Sequence, residues 1–345
     1  MSIADVALIE GDGIGPEISK AVVDILESAG ANIRWLPALA GAKAVEKYGS
    51  PLPRETLDLI SSCRVALKGP LTTEVGLEAG VAKGVRSLNV QLRKELDLYA
   101  NVRPVKSLPN LKTKFEGVDL VIIRENTEGL YSGLEHEITP GVVTSLKVAT
   151  RTACTRIAEF AFTYAEKSKR KKITAVHKAN IMKLSDGLAL ECCRAVANQH
   201  PEVEYEERIV DATAMHLVMH PERFDVLVME NLYGDILSDL AAGLIGGLGL
   251  AASANIGTNA AVFEAVHGSA PDIAGKGVAN PTALLFSATQ LLRHVGQLAP
   301  ALAIEAAVFE VFKNVASLTP DLGGKGTTQS FTSAVCEQLK AAPVA

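Results

Sequence analysis

The chain predicts an α/β architecture built on a largely parallel sheet and divided into two lobes. Three observations predict it. Short apolar runs alternate with helix-length amphipathic stretches for most of the length. The 345 residues, 48% hydrophobic and 21% charged, are enough for a sizeable core and two lobes. No short-period repeat or low-complexity linker breaks the alternation. A site between lobes suits such an architecture.

Val6-Ala7-Leu8-Ile9 reads as the first buried strand. A Gly-rich turn and a helix from Pro16 to Ala29 follow it. Arg64–Lys68, Asp119–Arg124, Lys172–Val176 and Asp225–Met229 read as further strands. Thr152–Lys167, Asp186–Gln199, Pro281–Val295 and Pro300–Ser317 read as helices. Leu240–Phe263 carries no charge, but its Gly, Ala, Ser and Asn content, with Asn255 and Asn259 inside it, predicts a buried helix followed by a loop rather than a membrane span. The turn Gly11-Asp12-Gly13-Ile14-Gly15-Pro16 spaces its glycines wrongly for a dinucleotide fingerprint, and Pro16 sits where the fingerprint helix begins. The sheet is therefore not expected to be a true Rossmann fold.

Composition excludes several classes. Lys plus Arg total 34 and Asp plus Glu 39, for a net charge of −5, and no basic stripe with interleaved aromatics appears. Nucleic acid is not an expected partner, nor is a membrane. The basic run Lys167–Lys172 reads as a solvated loop before a strand. Five cysteines at Cys63, Cys154, Cys192, Cys193 and Cys336 match no zinc spacing and read as reduced thiols. Met1–Asp5 lacks the regions of a secretory signal, so a cytoplasmic location is expected, with a mitochondrial matrix origin left open.

The densest chemistry lies in Asn231-Leu232-Tyr233-Gly234-Asp235-Ile236-Leu237-Ser238-Asp239. In a helix, Asp235 and Asp239 share one face and repel. A divalent cation would reverse that, and hard oxygen ligands suit Mg²⁺ or Mn²⁺. The rival reading is two acids facing the macrodipole in a first helical turn. Arg93, Arg103 and Arg124 are candidate clamps for a di- or tricarboxylate. Ser87 and Asn89 are candidate helix caps or donors to a carboxylate. Tyr131, after a polar run, and Lys178, at a strand end, are candidates for proton transfer. The block from His267 to Gly277 has the small residues that let a flat ring approach backbone, with Asn280-Pro281 beyond it.

Taken together, these segments resemble the β-decarboxylating dehydrogenases: isocitrate, 3-isopropylmalate, homoisocitrate and tartrate dehydrogenases. The resemblance runs nearly end to end, from Gly11-Asp12-Gly13 to Asp321-Leu322-Gly323-Gly324. It implies an isocitrate/isopropylmalate dehydrogenase-like fold with two lobes on a shared mixed sheet. Residues 1–100 plus 254–345 would form the large, cofactor-side lobe, and 101–253 the small, dimerising lobe. It implies Asp211, Asp235 and Asp239 as metal ligands, Arg93, Arg103 and Arg124 as carboxylate clamps, Lys178 as proton-transfer base and Tyr131 as enolate-protonating acid. Lys178 and Asp211 would complete a neighbouring subunit's site in a homodimer.

Within this resemblance, Ser87 and Asn89 favour isocitrate over homoisocitrate and 3-isopropylmalate. A buried hydroxyl and amide left unpaired by an isopropyl group would cost about 1–3 kcal/mol each. Asp272-Ile273 favours NAD⁺, since an acid repels a 2′-phosphate. Asn280 is the expected adenine contact. Thr72 and Thr73 are expected near the nicotinamide, and His267 and Gly268 are assigned to the cofactor side. The loop Leu77–Gly84 departs from the shortest isocitrate enzymes. The resemblance thus implies a metal-dependent, NAD-dependent isocitrate dehydrogenase. A non-catalytic regulatory subunit is the alternative, against which stands the complete set Tyr131, Lys178, Asp211, Asp235 and Asp239.

Overall fold

The strands, in chain order, are β1 (Ala4–Ile9), β2 (Ile33–Pro37), β3 (Val65–Lys68), β4 (Ala100–Lys106), β5 (Asp119–Glu125), β6 (Glu135–Thr139), β7 (Val142–Ser145), β8 (Lys172–His177), β9 (Glu204–Ile209), β10 (Val226–Met229), β11 (Ala252–Ile256) and β12 (Ala261–Ala265). The helices are α1 (Gly15–Ser28), α2 (Ala42–Tyr48), α3 (Arg54–Cys63), α4 (Leu88–Glu95), α5 (Arg151–Lys167), α6 (Ser185–Ala197), α7 (Val210–Met219), α8 (Asn231–Leu244), α9 (Thr282–His294), α10 (Leu298–Phe312) and α11 (Thr328–Ala341). The computed structural model describes residues 3–72, 87–111 and 113–341. Thr73 and the Leu77–Gly84 loop lie outside the described residues.

Ten strands form one mixed sheet in the order β2-β1-β3-β12-β11-β4-β5-β10-β8-β9. β2, β1, β3 and β12 run parallel to one another, as do β5, β10, β8 and β9. Between them β11 and β4 pair antiparallel with each other and with their outer neighbours. The two parallel halves therefore point in opposite directions. β6 and β7 form a separate antiparallel hairpin. The fold is α/β with a large mixed sheet, and the parallel halves explain the apolar runs: β3 and β10 are buried at every position. The core is continuous across both halves, from Val6 and Ile18 to Val228 and Leu237.

The strands and helices named from the sequence fall within a few residues of their expected positions, but several others, among them β2, β9 and α7, carried no signal that was read. One segment differs. Leu240–Phe263 contains the end of α8, a 3₁₀ turn and two strands, β11 and most of β12, where a helix and a loop were expected. The Ala-, Ser- and Gly-rich composition carries little β propensity, but pairing on both edges fixes the strands. β11 is buried apart from its last residue and β12 throughout. Among the described residues no helix is long and apolar enough to cross a membrane. All five cysteines are free thiols. The basic run does connect α5 to β8, yet Arg170 is held by Asp119 and Asp225 rather than left to solvent.

The Gly11–Gly15 turn is a packing device. Asp12 N–H donates to Pro70 O and Ile14 N–H to Ser269 O. A Cβ on Gly13 would lie 2.0 Å from Ser269 O, and its φ is +56°. The Asp12 carboxylate accepts from Thr72 N–H at 2.8 Å and from Ala42 N–H at 3.2 Å. The turn thus ties the first strand to the Thr72 and Ser269 loops.

Candidate functional site

One face of the sheet centre is polar. Side chains two apart share a face, and Asn101 with Arg103 on β4 and Ser253 with Asn255 on β11 follow that period. Glu264 on β12 stands opposite Ser253, and Lys68 on β3 opposite Glu264. Arg124 on β5 stands opposite Asn101. α8 and α4 supply the remaining groups.

Asp235 is the centre of one cluster. Arg124 Nη1 pairs with it, Tyr131 donates its hydroxyl to Oδ2 at 2.5 Å, and Arg103 Nη2 lies 3.4 Å from Oδ1. Arg103 also reaches Asp239 at 3.0 Å and Ser238 Oγ at 2.5 Å. The two aspartates do share one helix face. α8 begins at Asn231, capped by the Glu230 carboxylate, and its first turn holds no acid, so the macrodipole reading fails. Gly234 is required here: a Cβ would sit 2.5 Å from Arg124 Cγ. Burial raises the Asp235 carboxyl, but Arg124, the Tyr131 hydroxyl and Arg103 outweigh it and hold the group below its usual range. Burial and the Asp235 carboxylate push the Tyr131 hydroxyl up, so it stays a proton donor at neutral pH. Tyr131 lies in a 3₁₀ turn with its ring over the Arg124 guanidinium.

Glu264 is the centre of a second cluster that sequence reasoning missed. It is buried, with Lys68 Nζ at 2.7 Å, Asn255 Nδ2 at 2.8 Å and Arg93 Nη2 at 3.3 Å. Burial opposes its charge, but Lys68 and Arg93 hold its carboxyl at about 2. The signal for both residues was the apolar strand that each interrupts near its end, Val65-Ala66-Leu67-Lys68 and Ala261-Val262-Phe263-Glu264.

A cavity of about 200 Å³ opens beside this cluster, lined in part by Asn89, Arg93, Arg103, His267 and Gly268. Three buried polar atoms on its walls have no hydrogen-bond partner among the described residues: Asn89 Oδ1, Arg93 Nε and His267 Nε2. Unpaired buried groups are costly, so such a convergence is the mark of a ligand site. Ser87 occupies the N-cap position of α4 but makes no side-chain capping bond, so the capping reading fails and the exposed hydroxyl is available to a ligand. Burial lowers His267. Thr72 Oγ1 donates to Ser269 Oγ at 3.1 Å. Asn280 is held by Asp321 at 2.9 Å, while Asp272 is exposed and Ile273 partly buried on the neighbouring turn.

Lys178 and Asp211 form their own ion pair at 2.9 Å, away from these clusters. Within one chain the three aspartates do not converge. Among the described residues the one group of three ligand atoms within 4.8 Å is Glu166, His200 and Glu202. The donor set of Asp211, Asp235 and Asp239 is nevertheless all carboxylate oxygen, which fits Mg²⁺ or Mn²⁺. The unpaired His267 and Asn89 atoms fit a polar organic ligand such as a dinucleotide and its substrate.

A family model described as isocitrate/isopropylmalate dehydrogenase matches residues 5–338. A Drosophila melanogaster protein named probable isocitrate dehydrogenase [NAD] subunit alpha, mitochondrial, is 52% identical over 97% of this chain and 87% of its own. An Arabidopsis thaliana protein named isocitrate dehydrogenase [NAD] catalytic subunit 5, mitochondrial, is 53% identical over 96% and 87%. The crystal structure of isocitrate dehydrogenase from Methylococcus capsulatus superposes with a TM-score of 0.92, at 52% identity, over 98% of this chain and 99% of that one.

Proposed function

The chain belongs to the isocitrate/isopropylmalate dehydrogenase family, and from that membership we propose that it is an enzyme catalysing the NAD⁺-dependent oxidative decarboxylation of isocitrate to 2-oxoglutarate and CO₂. The observation that carries this reading is the cavity where unpaired atoms of Asn89, Arg93 and His267 meet beside Arg103. It offers a guanidinium pair for carboxylates and an amide on α4 for the group that distinguishes isocitrate from its isopropyl analogue. The names of the relatives, isocitrate dehydrogenase [NAD], support the substrate and the cofactor.

In this reading Arg93, Arg103 and Arg124 hold substrate carboxylates bidentately and fix the hydroxyl-bearing carbon. Asp235 and Asp239, with Asp211 of the partner subunit, would hold a divalent cation, and the cation when bound supplies Lewis-acid polarisation and an electron sink. Lys178 of the partner subunit takes the hydroxyl proton. Tyr131, kept protonated beside Asp235, returns a proton to the enolate after CO₂ leaves. Thr72, Thr73, His267, Gly268, Asp272, Ile273 and Asn280 form the proposed NAD⁺ surface.

A homodimer with shared sites is part of the proposal. The exposure of Met215 and Met219 on α7, Ile236 on α8 and Ile181 and Leu184 before α6 supports a covered face beside the Lys178–Asp211 pair. The lobe boundaries near residues 100 and 253 are proposed too, supported by the antiparallel β4–β11 pair that separates the parallel halves. The expected cytoplasmic location finds no support in the relatives, whose names place them in mitochondria.

A substrate-by-cofactor activity matrix on the purified chain, with Mg²⁺ or Mn²⁺, tests the reading. Turnover of isocitrate with NAD⁺ is expected. Preference for homoisocitrate or 3-isopropylmalate would refute the substrate assignment, and ligand binding without turnover would favour the regulatory subunit.

A further inference from the structure

Asn255 sits within the charge-free segment, and beyond its bond to Glu264 it has been given no role in binding or catalysis. It is buried, on β11, directly across from Asn101 on β4. Its amide oxygen accepts from Asn101 Nδ2 at 2.9 Å and from Asn126 Nδ2 at 3.0 Å. Its amide nitrogen donates to Glu264 Oε1 at 2.8 Å and to Val262 O at 3.3 Å. An amide has two donors and two acceptor sites, and this one is fully used.

The bonds run on in both directions. Asn101 Oδ1 accepts from Arg103 Nε at 2.9 Å. Glu264 Oε1 receives Arg93 Nη2 at 3.3 Å. A continuous line therefore joins Arg103, Asn101, Asn255, Glu264 and Arg93. It crosses the antiparallel centre of the sheet, where the two oppositely directed halves meet. The guanidinium of each arginine is anchored at one end of that line, and Asn255 is its middle.

We propose that Asn255 is a positioning residue that sets the orientation of Arg93 relative to Arg103, through Glu264 on one side and Asn101 on the other, and so fixes the separation of the substrate's carboxylates. This rests on the reading that both arginines bind a carboxylate substrate. Direction matters as well as contact. Asn255 must donate to Glu264, because a carboxylate cannot donate, and must accept from Asn101, whose own oxygen is taken by Arg103. Aspartate keeps the second bond and destroys the first, setting two carboxylates against each other.

The test uses full-length protein and two variants, Asn255→Asp and Asn255→Ser. Steady-state kinetics are measured with whichever acid of the substrate matrix the native protein turns over best, alongside the melting temperature. A displacement of about 1 Å in a clamp costs on the order of 100-fold. We expect kcat/KM to fall by about that factor in Asn255→Asp, with a raised KM as the larger part. A merely structural role would lower the melting temperature and the active fraction while leaving KM alone. Native KM in a folded variant overturns the proposal. If the aspartate variant does not fold, Asn255→Ser carries the KM measurement. Failure of the isocitrate reading shows as a different preferred acid in the native protein, and the variants are then read with that acid. A native protein that neither turns over nor binds any of these acids in calorimetry overturns both.

Discussion

Replacing Glu264 with glutamine isolates the largest electrostatic commitment in the buried site. The carboxylate and Lys68 are both buried and 2.7 Å apart. Removing one partner of a buried pair leaves an uncompensated charge, at a cost of about 3–5 kcal/mol. Linkage gives an independent figure. The carboxyl is held at about 2 in the folded chain against an ordinary 4.5, which corresponds to about 3–4 kcal/mol. Because the folded value is depressed, this stability is fully present above pH 4.5 and is lost as the pH falls toward 2. At pH 3.5 about 2 kcal/mol of it remains. An unfolding entropy of about 2.1 cal/mol/K per residue over this chain makes 3–4 kcal/mol about 5 °C. Thermal unfolding of native protein and Glu264→Gln should therefore differ by about 5 °C at pH 7 and by about 3 °C at pH 3.5. A difference below about 1 °C at pH 7, or one that does not shrink on acidification, would refute the assignment of a buried, ionised Glu264.

Three further outcomes follow from the site. Tyr131→Phe should lower kcat by about 10²–10⁴-fold while leaving isocitrate KM within about threefold, because the hydroxyl acts on the enolate; a change confined to KM would assign it to binding instead. Ser87→Val with Asn89→Val should cost isocitrate about 5–150-fold per group in kcat/KM relative to 3-isopropylmalate, as measured by the ratio of the two; an unchanged ratio would remove α4 from substrate choice. Coexpressed Tyr131→Phe and Lys178→Met chains, each inactive alone, should recover about a quarter of native activity, since half the dimers are hybrids with one intact site each. No recovery would place the whole site within one chain.

What the sequence made legible was local. The Asp235–Asp239 spacing announces a shared helix face, and the structure puts both on Arg103. Arg124 at the end of an apolar strand announces a buried charge, and it is the largest fully buried side chain among the described residues. What stayed hidden was long-range. Lys68 and Glu264 lie on the pair of neighbouring strands most widely separated in sequence in this sheet, and nothing near either residue names the other. Asn101 and Asn255 belong to period-two patterns too short to stand out, Asn-Val-Arg and Ser-Ala-Asn. β11 escaped because its small residues fit a helix, a loop or a strand alike, and only its two neighbours decide. The Ser87 cap was plausible from residue type, but a hydroxyl at an N-cap position need not turn inward.

The arginines proposed as clamps, Arg103 and Arg124, are strand residues, placed by register in the middle of a ten-stranded sheet. Moving either one by a single position would send it to the opposite face and carry its whole strand with it. α4 is bound by no such ladder. Selection for a new acid therefore has an inexpensive route through residues 87–93 and a prohibitive one through β4 or β5. Chains of this architecture should diverge in which side group they accept long before they diverge in how they grip the hydroxy-acid common to all their substrates.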